Sequence, residues 1–385
     1  MPEQWDTVVI GAGVFGAWTA ERLRGAGQKV LLIDAWGPAH ARASSGGESR
    51  MTRAAYGADA IYSKMAWESL NDWKRLSAIS GLPVFHQAGV LFFFQEEQPY
   101  ATETAAVHKG LGLPTQMLDR SAMAGRFPQM DFSDIALGIY EPELGVLMAR
   151  RAVQTLVERY VRGGGEYLQA EVVPPPAGKP LDAVTTRSGK IIRAKRFVFA
   201  CGPWLPKLFP DLLGGRIFPT RQEVYFFAPP AGDLRFSLGQ LPGWADFNHG
   251  DLYYGFPDLE TRGFKIAHDQ HGPPIDPDGG DRIASAQGLE TVRRYMERRF
   301  PALKGAPLVE SRVCQYENSA NGDFLIDLHS DWPNAVLLGG GSGHGFKHGP
   351  EVGRYAAELA LGTLARKEPR FSLASKGKVQ DRSVH

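Results

Sequence analysis

The feature that most constrains this chain is a glycine-rich turn between a strand and a helix near its beginning. Residues 7–10 form a short β-branched apolar run, which is typical of a buried strand. The run leads directly into Gly11-Ala12-Gly13-Val14-Phe15-Gly16, and a segment with helical spacing of apolar residues follows. A second apolar run, residues 29–33, ends at Asp34. In this strand–turn–helix–strand context, G-x-G-x-x-G predicts a dinucleotide site.

Each position of the motif has a physical reason. Gly11 would allow the tight turn, Gly13 would let the backbone approach a pyrophosphate, and Gly16 would let the helix pack closely on the strand. The helix N-terminus would direct N–H groups and a partial positive charge at the phosphates. Asp34 is placed to accept hydrogen bonds from a ribose. The alternative is an ordinary glycine-rich turn of an α/β protein, and the motif does not distinguish NAD from FAD.

Composition and charge exclude several classes of protein. The chain has 385 residues, with 43 Lys plus Arg against 42 Asp plus Glu, so no strong field attracts nucleic acid or an acidic membrane. No apolar run approaches the roughly 20 residues that span a bilayer, and the short polar start is no signal peptide. Cys201 and Cys314 are the two cysteines, too few for a disulfide framework or a thiolate metal cluster. We expect a cytoplasmic protein with no metal, nucleic-acid or membrane partner.

Two kinds of segment interleave along the chain. Apolar strands with helices occur at the start, around residues 150–217 and near the end, and alternating strands fill the gaps. This order predicts an α/β (α+β) two-domain fold, in which a Rossmann-type nucleotide domain is interleaved with an antiparallel-sheet substrate domain. The predicted ranges are 1–84, 150–217 and 322–370 for the nucleotide domain, 85–149 and 218–321 for the substrate domain, and 371–385 for a loose tail.

Two segments leave their role open. Arg50 and Arg53 lie in a loop rich in small and polar residues, and in a helical turn they would point to one side. They could contact an anion or a flavin, or they could form a solvated basic turn. A second glycine-rich junction, residues 339–347, follows an apolar strand. It could aim a helix N-terminus at negative charge on a reduced cofactor, or it could be a connection without a ligand.

Taken together, these segments resemble the monomeric sarcosine oxidase and N-methyltryptophan oxidase family, covalent flavoproteins of the D-amino-acid-oxidase-like group. The resemblance covers nearly the whole chain in the same order. It is carried by Gly11–Gly16 with Asp34, Ser44–Arg50 with Arg53, Tyr253–Pro257, Lys265, Cys314–Tyr316, Phe324–His329 and Gly343–Lys347. The Cys-x-Tyr and Ser-Gly-His-Gly-Phe-Lys segments are much more specific than the glycine-rich loop.

The resemblance implies an FAD that is joined through its 8-methyl carbon to a cysteine, and Cys314 occupies that position. The alternative for Cys314 is a buried free cysteine, which is what we expect for Cys201. The other expected cofactor contacts come from the glycine-rich turn, the basic loop, one later strand and the second junction. They are Gly11, Gly13, Val14, Phe15, Gly16, Asp34, Ser44, Ser45, Arg50, Val172, Gly343, His344, Gly345, Phe346 and Lys347.

Catalytic residues also follow from the resemblance. Lys265 matches the family's lysine beneath the flavin, which is implicated in activating oxygen; apolar neighbours favour its burial. Arg50 matches an arginine packed near the flavin ring. Tyr316 matches an aromatic wall of the active site.

Substrate contacts follow in the same way. Arg53 and Lys347 match the pair that holds the substrate carboxylate, where an arginine fork and an ammonium supply charge and orientation. Tyr254 matches a second aromatic wall. These matches imply that the substrate is an amino acid.

Two departures from the family pattern stand out. Gly46 lies where the family usually has a histidine after its paired serines. Sarcosine-type members place a histidine four residues after the lysine, where this chain has Asp269. His268 should point to the other side of that strand unless a bulge turns it. This difference puts sarcosine itself in doubt.

The sequence thus predicts an FAD-dependent oxidase of a secondary amino acid, N-methylated or cyclic, that forms an imine and passes electrons to O2 to give H2O2. We expect a monomer. One alternative is a fructosyl-amino-acid or pipecolate-type oxidase. Others are a flavin dehydrogenase with a partner acceptor, which Lys265 argues against, and a flavin-binding protein without turnover.

Overall fold

The computed structural model describes residues 4–176, 180–248 and 251–379. The parts of the predicted domains and tail that fall on 1–3, 177–179, 249–250 and 380–385 lie outside the described residues.

Strands occur throughout the described chain. In chain order they are β1 (Gln4–Ile10), β2 (Val30–Asp34), β3 (Ser49–Thr52), β4 (Phe85–His86), β5 (Val90–Phe94), β6 (Gln116–Asp119), β7 (Leu137–Glu141), β8 (Gly145–Met148), β9 (Glu166–Gln169), β10 (Ala183–Thr185), β11 (Ile191–Phe199), β12 (Ile217–Phe227), β13 (Gly243–Asn248), β14 (Asp251–Phe256), β15 (Phe264–His268), β16 (Leu308–Ser319), β17 (Leu325–Leu328) and β18 (Ala335–Gly339).

The helices alternate with these strands. They are α1 (Val14–Gly25), α2 (Ala60–Ile79), α3 (Pro99–Leu111), α4 (Arg120–Arg126), α5 (Ala149–Arg162), α6 (Leu205–Leu208), α7 (Pro210–Leu213), α8 (Ala286–Arg299) and α9 (Gly349–Leu361). Short 3₁₀ helices cover Ser44–Gly46, Gly202–Trp204, Leu234–Phe236, Pro301–Leu303, Phe346–His348, Pro369–Phe371 and Leu373–Ser375.

Local sequence explains the long helices. Helix α5 buries Val153, Leu156 and Tyr160 along one face, as a period of 3.6 residues requires. Helix α9 begins with a proline in its first turn, where a missing N–H costs nothing. It ends at Gly362, whose φ of +72° is left-handed, a conformation that suits glycine.

The first sheet is mostly parallel and has the order β17-β18-β11-β1-β2-β9, with β10 on β11. Strand β1 pairs in parallel with both β11 and β2. Apolar residues of these strands face two cores, one under α1, α5 and α9 and one on the opposite face. This arrangement corresponds to the Rossmann-type nucleotide domain that the sequence predicts.

The second sheet has the order β16-β12-β15-β14-β13-β5-β7-β6 and packs against α8 through an aromatic-rich core. Its pairs are antiparallel except for β13 with β5, which run parallel. One pair thus departs from the antiparallel sheet that we predicted, because the sheet is assembled from two distant chain segments. The fold class itself, an α/β two-domain arrangement, is confirmed.

A third, small sheet joins the two halves, with the order β3-β8-β4. Arg50 lies within β3, so part of the segment that we predicted as a loop is a strand paired with β8. Arg53 follows directly after β3, and both arginines line one cavity that is described below. The exact domain limits remain a proposal, since this sheet draws on both predicted domains.

The described part of the tail is not loose. Phe371 is 1% exposed and packs against the rings of Tyr62 and Phe324. The Leu373 N–H donates to Asp327 Oδ2 at 3.0 Å. Residues 371–376 thus pack on the rest of the chain where we predicted a loose tail from residue 371, because one buried aromatic residue anchors this polar segment, whereas residues 377–379 are exposed.

None of the helices in the described part of the chain combines the length and apolar character that crossing a membrane requires.

Candidate active site

A cavity of about 690 Å³ lies along the carboxyl ends of the parallel strands in the first sheet. Its lining includes Gly11 after β1, Asp34 at the end of β2, Gly202 after β11 and Gly341 after β18. Ligands of open α/β sheets bind at this edge. The volume is within the range of roughly 300–1,000 Å³ that is usual for ligand sites.

The glycine-rich turn is held by backbone contacts that leave no room for side chains. Gly11 has a φ of +105°, and a Cβ on it would lie 2.2 Å from the Ala200 carbonyl oxygen. A Cβ on Gly16 would lie 1.9 Å from the Gly11 carbonyl oxygen. Gly16 is not among the residues that line the cavity, so its contribution is close packing of α1 on β1.

Side chains fix the turn and the start of α1. The Val14 N–H donates to Ser45 Oγ at 3.1 Å, and the Ala12 N–H donates to Asp34 Oδ2 at 2.7 Å. Asp34 Oδ1 also accepts the N–H groups of Trp36 and Gly37, both at 2.8 Å. Asp34 therefore organises the backbone of this edge of the cavity, and the ribose contact remains a prediction.

The cavity fits a dinucleotide in its polar groups as well as in its shape. The Ser44 hydroxyl is buried without a hydrogen-bond partner among the described residues, and Ser44 lines the cavity. A buried hydroxyl without a partner is costly, and a polar ligand group would satisfy it. The N-terminus of α1, at Val14 and Phe15, reaches the same cavity. These residues would hold the FAD that the family implies.

Cys314 lies beside this cavity. Arg50 Nη2 donates to Cys314 Sγ at 3.2 Å and to the Ser44 carbonyl at 2.8 Å. Burial by itself would lower the pKa of Arg50. The pKa is nevertheless raised, because the nearby Cys314, Tyr254 and Tyr316 side chains favour the charged guanidinium. The charged Arg50 side chain, which lines the cavity together with Ser44, thus connects the Cys314 thiol to the cavity wall.

Lys265 is placed behind that wall. It is 2% exposed, and its Nζ donates to the Ser49 carbonyl at 3.0 Å. The Phe256 ring centroid lies 4.9 Å from Nζ. Burial, followed by the charge of Arg50, lowers the pKa of Lys265 well below its usual value, while Cys314 partly opposes this effect. Lys265 lines a small cavity of about 10 Å³ with Ser49 and Phe256 and is not among the residues that line the larger cavity.

A second cavity, of about 70 Å³, adjoins the large one. The two share Arg50, Tyr316, Ser342, Gly343 and Phe346 in their walls. The second cavity brings together the predicted carboxylate-binding residues and a set of apolar side chains. Its other lining residues are Met51, Arg53, Phe92, Ala245, Phe247, Leu252, Tyr254, Asp269, His271, His344 and Lys347.

Arg53 and Lys347 are both nearly buried in this second cavity, at 8% and 4% exposure. The Tyr56 ring lies beneath both cations, 4.1 Å from the Arg53 guanidinium carbon and 5.1 Å from Lys347 Nζ. Lys347 Nζ donates to the His344 carbonyl at 2.8 Å, and Trp73 Nε1 donates to the Lys347 carbonyl at 2.8 Å. Two positive charges converge on one small space.

Tyr56 is held by two imidazoles. His344 Nε2 donates to the Gly322 carbonyl at 3.1 Å, and His344 Nδ1 lies 3.0 Å from the Tyr56 hydroxyl oxygen. His348 Nε2 lies 2.8 Å from the same oxygen. Burial, then Lys347, lowers the pKa of His348 well below its usual value, which agrees with a neutral ring.

A buried carboxyl that the sequence analysis missed lies behind Arg53. Glu141 is 0% exposed, and its Oε1 accepts the Ala54 N–H at 3.0 Å. Burial raises its pKa to about 7, although the Ala54 hydrogen bond, Arg53 and Lys347 oppose the shift. It lies at the end of an apolar strand, where only the tertiary arrangement shows its proximity to Arg53.

The strand after Lys265 has the register that alternation predicts. His268 is on the outer face, where its ring stacks on Tyr253 at 4.4 Å between centroids and pairs with Asp251. The β14–β15 register is regular through His268, so no bulge turns it inward. Asp269 instead lines the second cavity. The structure thus places an aspartate where sarcosine-type members have a histidine.

Steric crowding explains why a glycine occupies position 46. A Cβ there would lie 2.1 Å from the His40 carbonyl oxygen and 3.2 Å from the Ala41 Cα. A histidine at this position would require the neighbouring loop to move. The departure from the family pattern is therefore built into the backbone of this loop.

The predicted site residues divide between the cavities. The large cavity collects the motif residues, both serines, Val172 and most of the second junction; its predicted members are Gly11, Gly13, Val14, Phe15, Asp34, Ser44, Ser45, Arg50, Val172, Gly343, Gly345 and Phe346. His344 and Lys347, which we assigned to the cofactor, line only the second cavity. Cys201, which we assigned to the core, lines the large cavity, and its Sγ lies 3.4 Å from the Ile10 carbonyl.

Glu317 and Trp204 are among the residues of the large cavity that the sequence analysis missed. Glu317 is 7% exposed, and its Oε1 accepts the Gly340 N–H at 2.7 Å. Burial raises its pKa to about 8. Trp204 follows the end of β11 and also lines the cavity. Position at the carboxyl end of a parallel strand could have identified Trp204, whereas a glutamate within an antiparallel strand carries no such signal.

Comparisons with known proteins agree with this geometry. The family model described as "FAD dependent oxidoreductase" matches residues 6–359. The monomeric sarcosine oxidase of Streptomyces avermitilis is 30% identical over 373 residues, which cover 95% of this chain and 96% of that protein. The N-methyl-L-tryptophan oxidase of Citrobacter koseri is 29% identical over 379 residues, 96% and 97% of the two chains.

The solved structures show the same fold. The crystal structure of L-proline dehydrogenase from P. horikoshii superimposes with a TM-score of 0.83 at 21% identity, covering 97% of this chain and 98% of that one.

Proposed function

Because the chain belongs to the FAD-dependent oxidoreductase family, we propose that it oxidises the carbon–nitrogen bond of a small secondary amino acid, N-methylated or cyclic. Oxygen is the proposed electron acceptor and H2O2 the proposed product. The names of its relatives, sarcosine oxidase and N-methyltryptophan oxidase, support an N-methylated substrate. The name monomeric supports a monomer, and we also propose a cytoplasmic location.

One observation carries this proposal: Arg53 and Lys347 converge in a small cavity that shares a wall with the cofactor cavity. An arginine and an ammonium together bind and orient a carboxylate. The shared wall, which contains Arg50 and Tyr316, would place the rest of the amino acid toward the cofactor. A bound FAD would accept two electrons and a hydrogen from the carbon beside the substrate nitrogen and would pass the electrons to oxygen.

The size of the second cavity favours a small substrate. A volume of about 70 Å³ is well below the roughly 300–1,000 Å³ that is usual for ligand sites. The apolar side chains Phe92, Phe247 and Leu252 in its wall suit an aliphatic body and exclude water from it. A sugar-bearing amino acid needs a larger space, so this volume argues against the fructosyl alternative.

Screening gives the direct test. The holoenzyme would be mixed anaerobically with N-methyl amino acids, proline, pipecolate and fructosyl amino acids, and flavin bleaching would be followed; admitting oxygen should then produce peroxide. Bleaching by fructosyl amino acids alone would overturn the small-substrate proposal. Bleaching without peroxide would favour a dehydrogenase.

The carboxylate clamp has its own matched variants. Arg53→Met and Lys347→Ala should each weaken substrate binding by about 1.5–3 kcal/mol, because each removes a hydrogen bond to a charged group. His268→Gln is the control, because His268 lies on the outer face of β15. The dissociation constants come from anaerobic flavin reduction at varied substrate. Normal binding in both clamp variants, with impaired binding in the control, would show that the carboxylate binds elsewhere.

We further propose that the flavin is covalently attached through Cys314. The thiol lies beside the cavity wall and is hydrogen-bonded by Arg50. Yellow colour should therefore stay with the acid-precipitated protein and should move to the supernatant in Cys314→Ser. Cys201→Ser serves as the control, because that thiol lines another part of the cavity. Release of flavin from the unmodified protein would contradict the covalent bond.

A further inference from the structure

Asp269 brings a negative charge into the cavity that holds the two cations. It directly follows β15, and its backbone N–H donates to the Leu252 carbonyl at 2.7 Å. This bond extends the pairing of β14 with β15 by one residue and fixes the direction of the side chain. Asp269 shares the cavity wall with Arg53 and Lys347.

The carboxylate is positioned by a phenol. The Tyr316 hydroxyl donates to Asp269 Oδ1 at 2.9 Å, and Tyr254 lines the same cavity. Burial, followed by the charge of Asp269, raises the pKa of Tyr316 well above its usual value. Burial likewise raises the pKa of Tyr254. Both phenols therefore keep their protons and serve as neutral supports, not as charge partners.

The cavity consequently presents both signs of charge to one small molecule. The other titratable and charged groups that line this cavity are Tyr254 on β14, Tyr316 on β16, Arg50 and Arg53 on and after β3, His271 beyond β15, and His344 and Lys347 before α9. Asp269 is also among the groups that raise the pKa of Arg53. A molecule with only a carboxylate satisfies the cations but meets the repulsion of Asp269. A zwitterion satisfies both.

We propose that this site selects the zwitterionic form of its amino acid, with the carboxylate on Arg53 and Lys347 and the protonated nitrogen on Asp269. Asp269 then accepts one proton from that nitrogen: an N–H bond breaks, an O–H bond forms, and the nitrogen keeps its electron pair. No oxidation or reduction occurs in this step. The inference rests on the proposed function and names the ionic form of its substrate class.

Two ligands of the same shape separate charge from size. N,N-dimethylglycine and 3-methylbutanoate carry the same carboxylate and the same branched end, and differ in having an ammonium nitrogen or a carbon. Each would be mixed rapidly and anaerobically with the holoenzyme near pH 7.5, and binding would be read from the perturbation of the flavin spectrum. The unmodified protein should bind dimethylglycine roughly ten- to a hundred-fold more tightly, the usual size of a hydrogen bond between charged groups.

Asp269→Asn keeps an acceptor for Tyr316 and removes the charge, so the ratio of the two dissociation constants should fall to about one. Asp269→Glu keeps the charge and should retain the preference for dimethylglycine, and His268→Gln should leave the ratio unchanged. An unchanged ratio in Asp269→Asn, or no preference in the unmodified protein, would overturn the inference. If Asp269→Asn fails to fold, the ratio of the two dissociation constants in the unmodified protein and in Asp269→Glu still tests the inference, because both should prefer dimethylglycine.

Arg53→Met distinguishes this inference from the proposed function. It should weaken both ligands by similar factors and leave their ratio unchanged, because both carry the carboxylate. If Arg53→Met and Lys347→Ala bind both ligands normally, the carboxylate clamp fails while the ratio in Asp269→Asn still tests Asp269 alone.

Discussion

At the scale of single residues, Lys265 shows how burial can prepare a charge for a particular use. Its ammonium lies among Ser49, Phe256 and other buried groups, and burial lowers its pKa. A negative charge arriving nearby would favour the protonated form strongly, because a pair so deeply buried is poorly screened by solvent. Arg50 and Cys314, which act on Lys265 electrostatically, connect this position to the cofactor cavity.

Lys265→Met should therefore slow flavin reoxidation by oxygen about a hundredfold or more, the usual loss for one preorganised charge at a transition state. Anaerobic reduction by substrate should change much less. Stopped-flow absorbance measures the two half-reactions separately, with Lys64→Met as the control because Lys64 is exposed on α2. Equal damage to both half-reactions would make Lys265 a positioning residue instead.

Glu141 links the active site to the pH dependence of stability. Its pKa is about 7 in the folded chain against an ordinary value of 4.5, with burial as the main cause, so the folded state binds its proton more tightly than the unfolded state does. The protonated Glu141 therefore contributes to the free energy of unfolding in full below pH 4.5, and this contribution is lost as the pH rises through 7. The contribution is on the order of 3 kcal/mol.

Glu141→Gln should remove that pH dependence, because the amide keeps an acceptor for the Ala54 N–H. The midpoint of urea unfolding, measured between pH 4.5 and 7.5, should fall less with rising pH in the variant than in the unmodified protein. Glu143→Gln, at a half-buried side chain nearby that is paired with Lys74, should preserve the original slope. Parallel slopes in all three proteins would mean that Glu141 is ionised in the folded state.

At the scale of elements, α1 shows two glycines with opposite consequences. A Cβ on Gly16 would collide with the Gly11 carbonyl at 1.9 Å, whereas a Cβ on Gly25 meets nothing within 4 Å. Gly16→Ala should push α1 away from β1, lower the unfolding midpoint and reduce flavin content. Gly25→Ala should raise stability by up to about 1 kcal/mol, because alanine loses less conformational freedom in a helix. Thermal unfolding and the ratio of flavin to protein absorbance measure both effects; equal behaviour of the two variants would contradict the packing assigned to Gly16.

At the scale of the whole molecule, the C-terminal segment ties distant parts together. Phe371 packs on Tyr62 of α2, Phe324 before β17 and Tyr355 of α9. Arg370 adds an ion pair of 2.7 Å to Asp59.

Phe371→Ala should lower the free energy of unfolding by about 3–5 kcal/mol, the usual cost of emptying a buried phenylalanine site. Urea unfolding would be compared with Val379→Ala, a change at a 77% exposed position, which should have little effect. Similar midpoints for the two variants would mean that the segment contributes nothing to the core.

Short-range patterns determined much of this protein. The glycine spacing predicted the turn because Gly11 needs a positive φ and Gly16 a close approach, both of which are local properties. The period of two predicted that His268 faces away from Lys265, and the interleaving of segment types predicted an α/β two-domain fold, which the structure confirms. Resemblance to a family identified the flavin fold and the class of chemistry, and the family match confirms both.

Tertiary structure decided what those patterns could not. Residues 49–52 became a strand because β8, about a hundred residues later, pairs with them, and the tail packed because one phenylalanine found a core made by other segments. The site depends most on such long-range contacts. Glu141 behind Arg53, and Asp269 beside the two cations, acquired their roles from neighbours distant in sequence. The pKa of a group and the lining of a cavity depend on those neighbours in space, which local sequence does not specify.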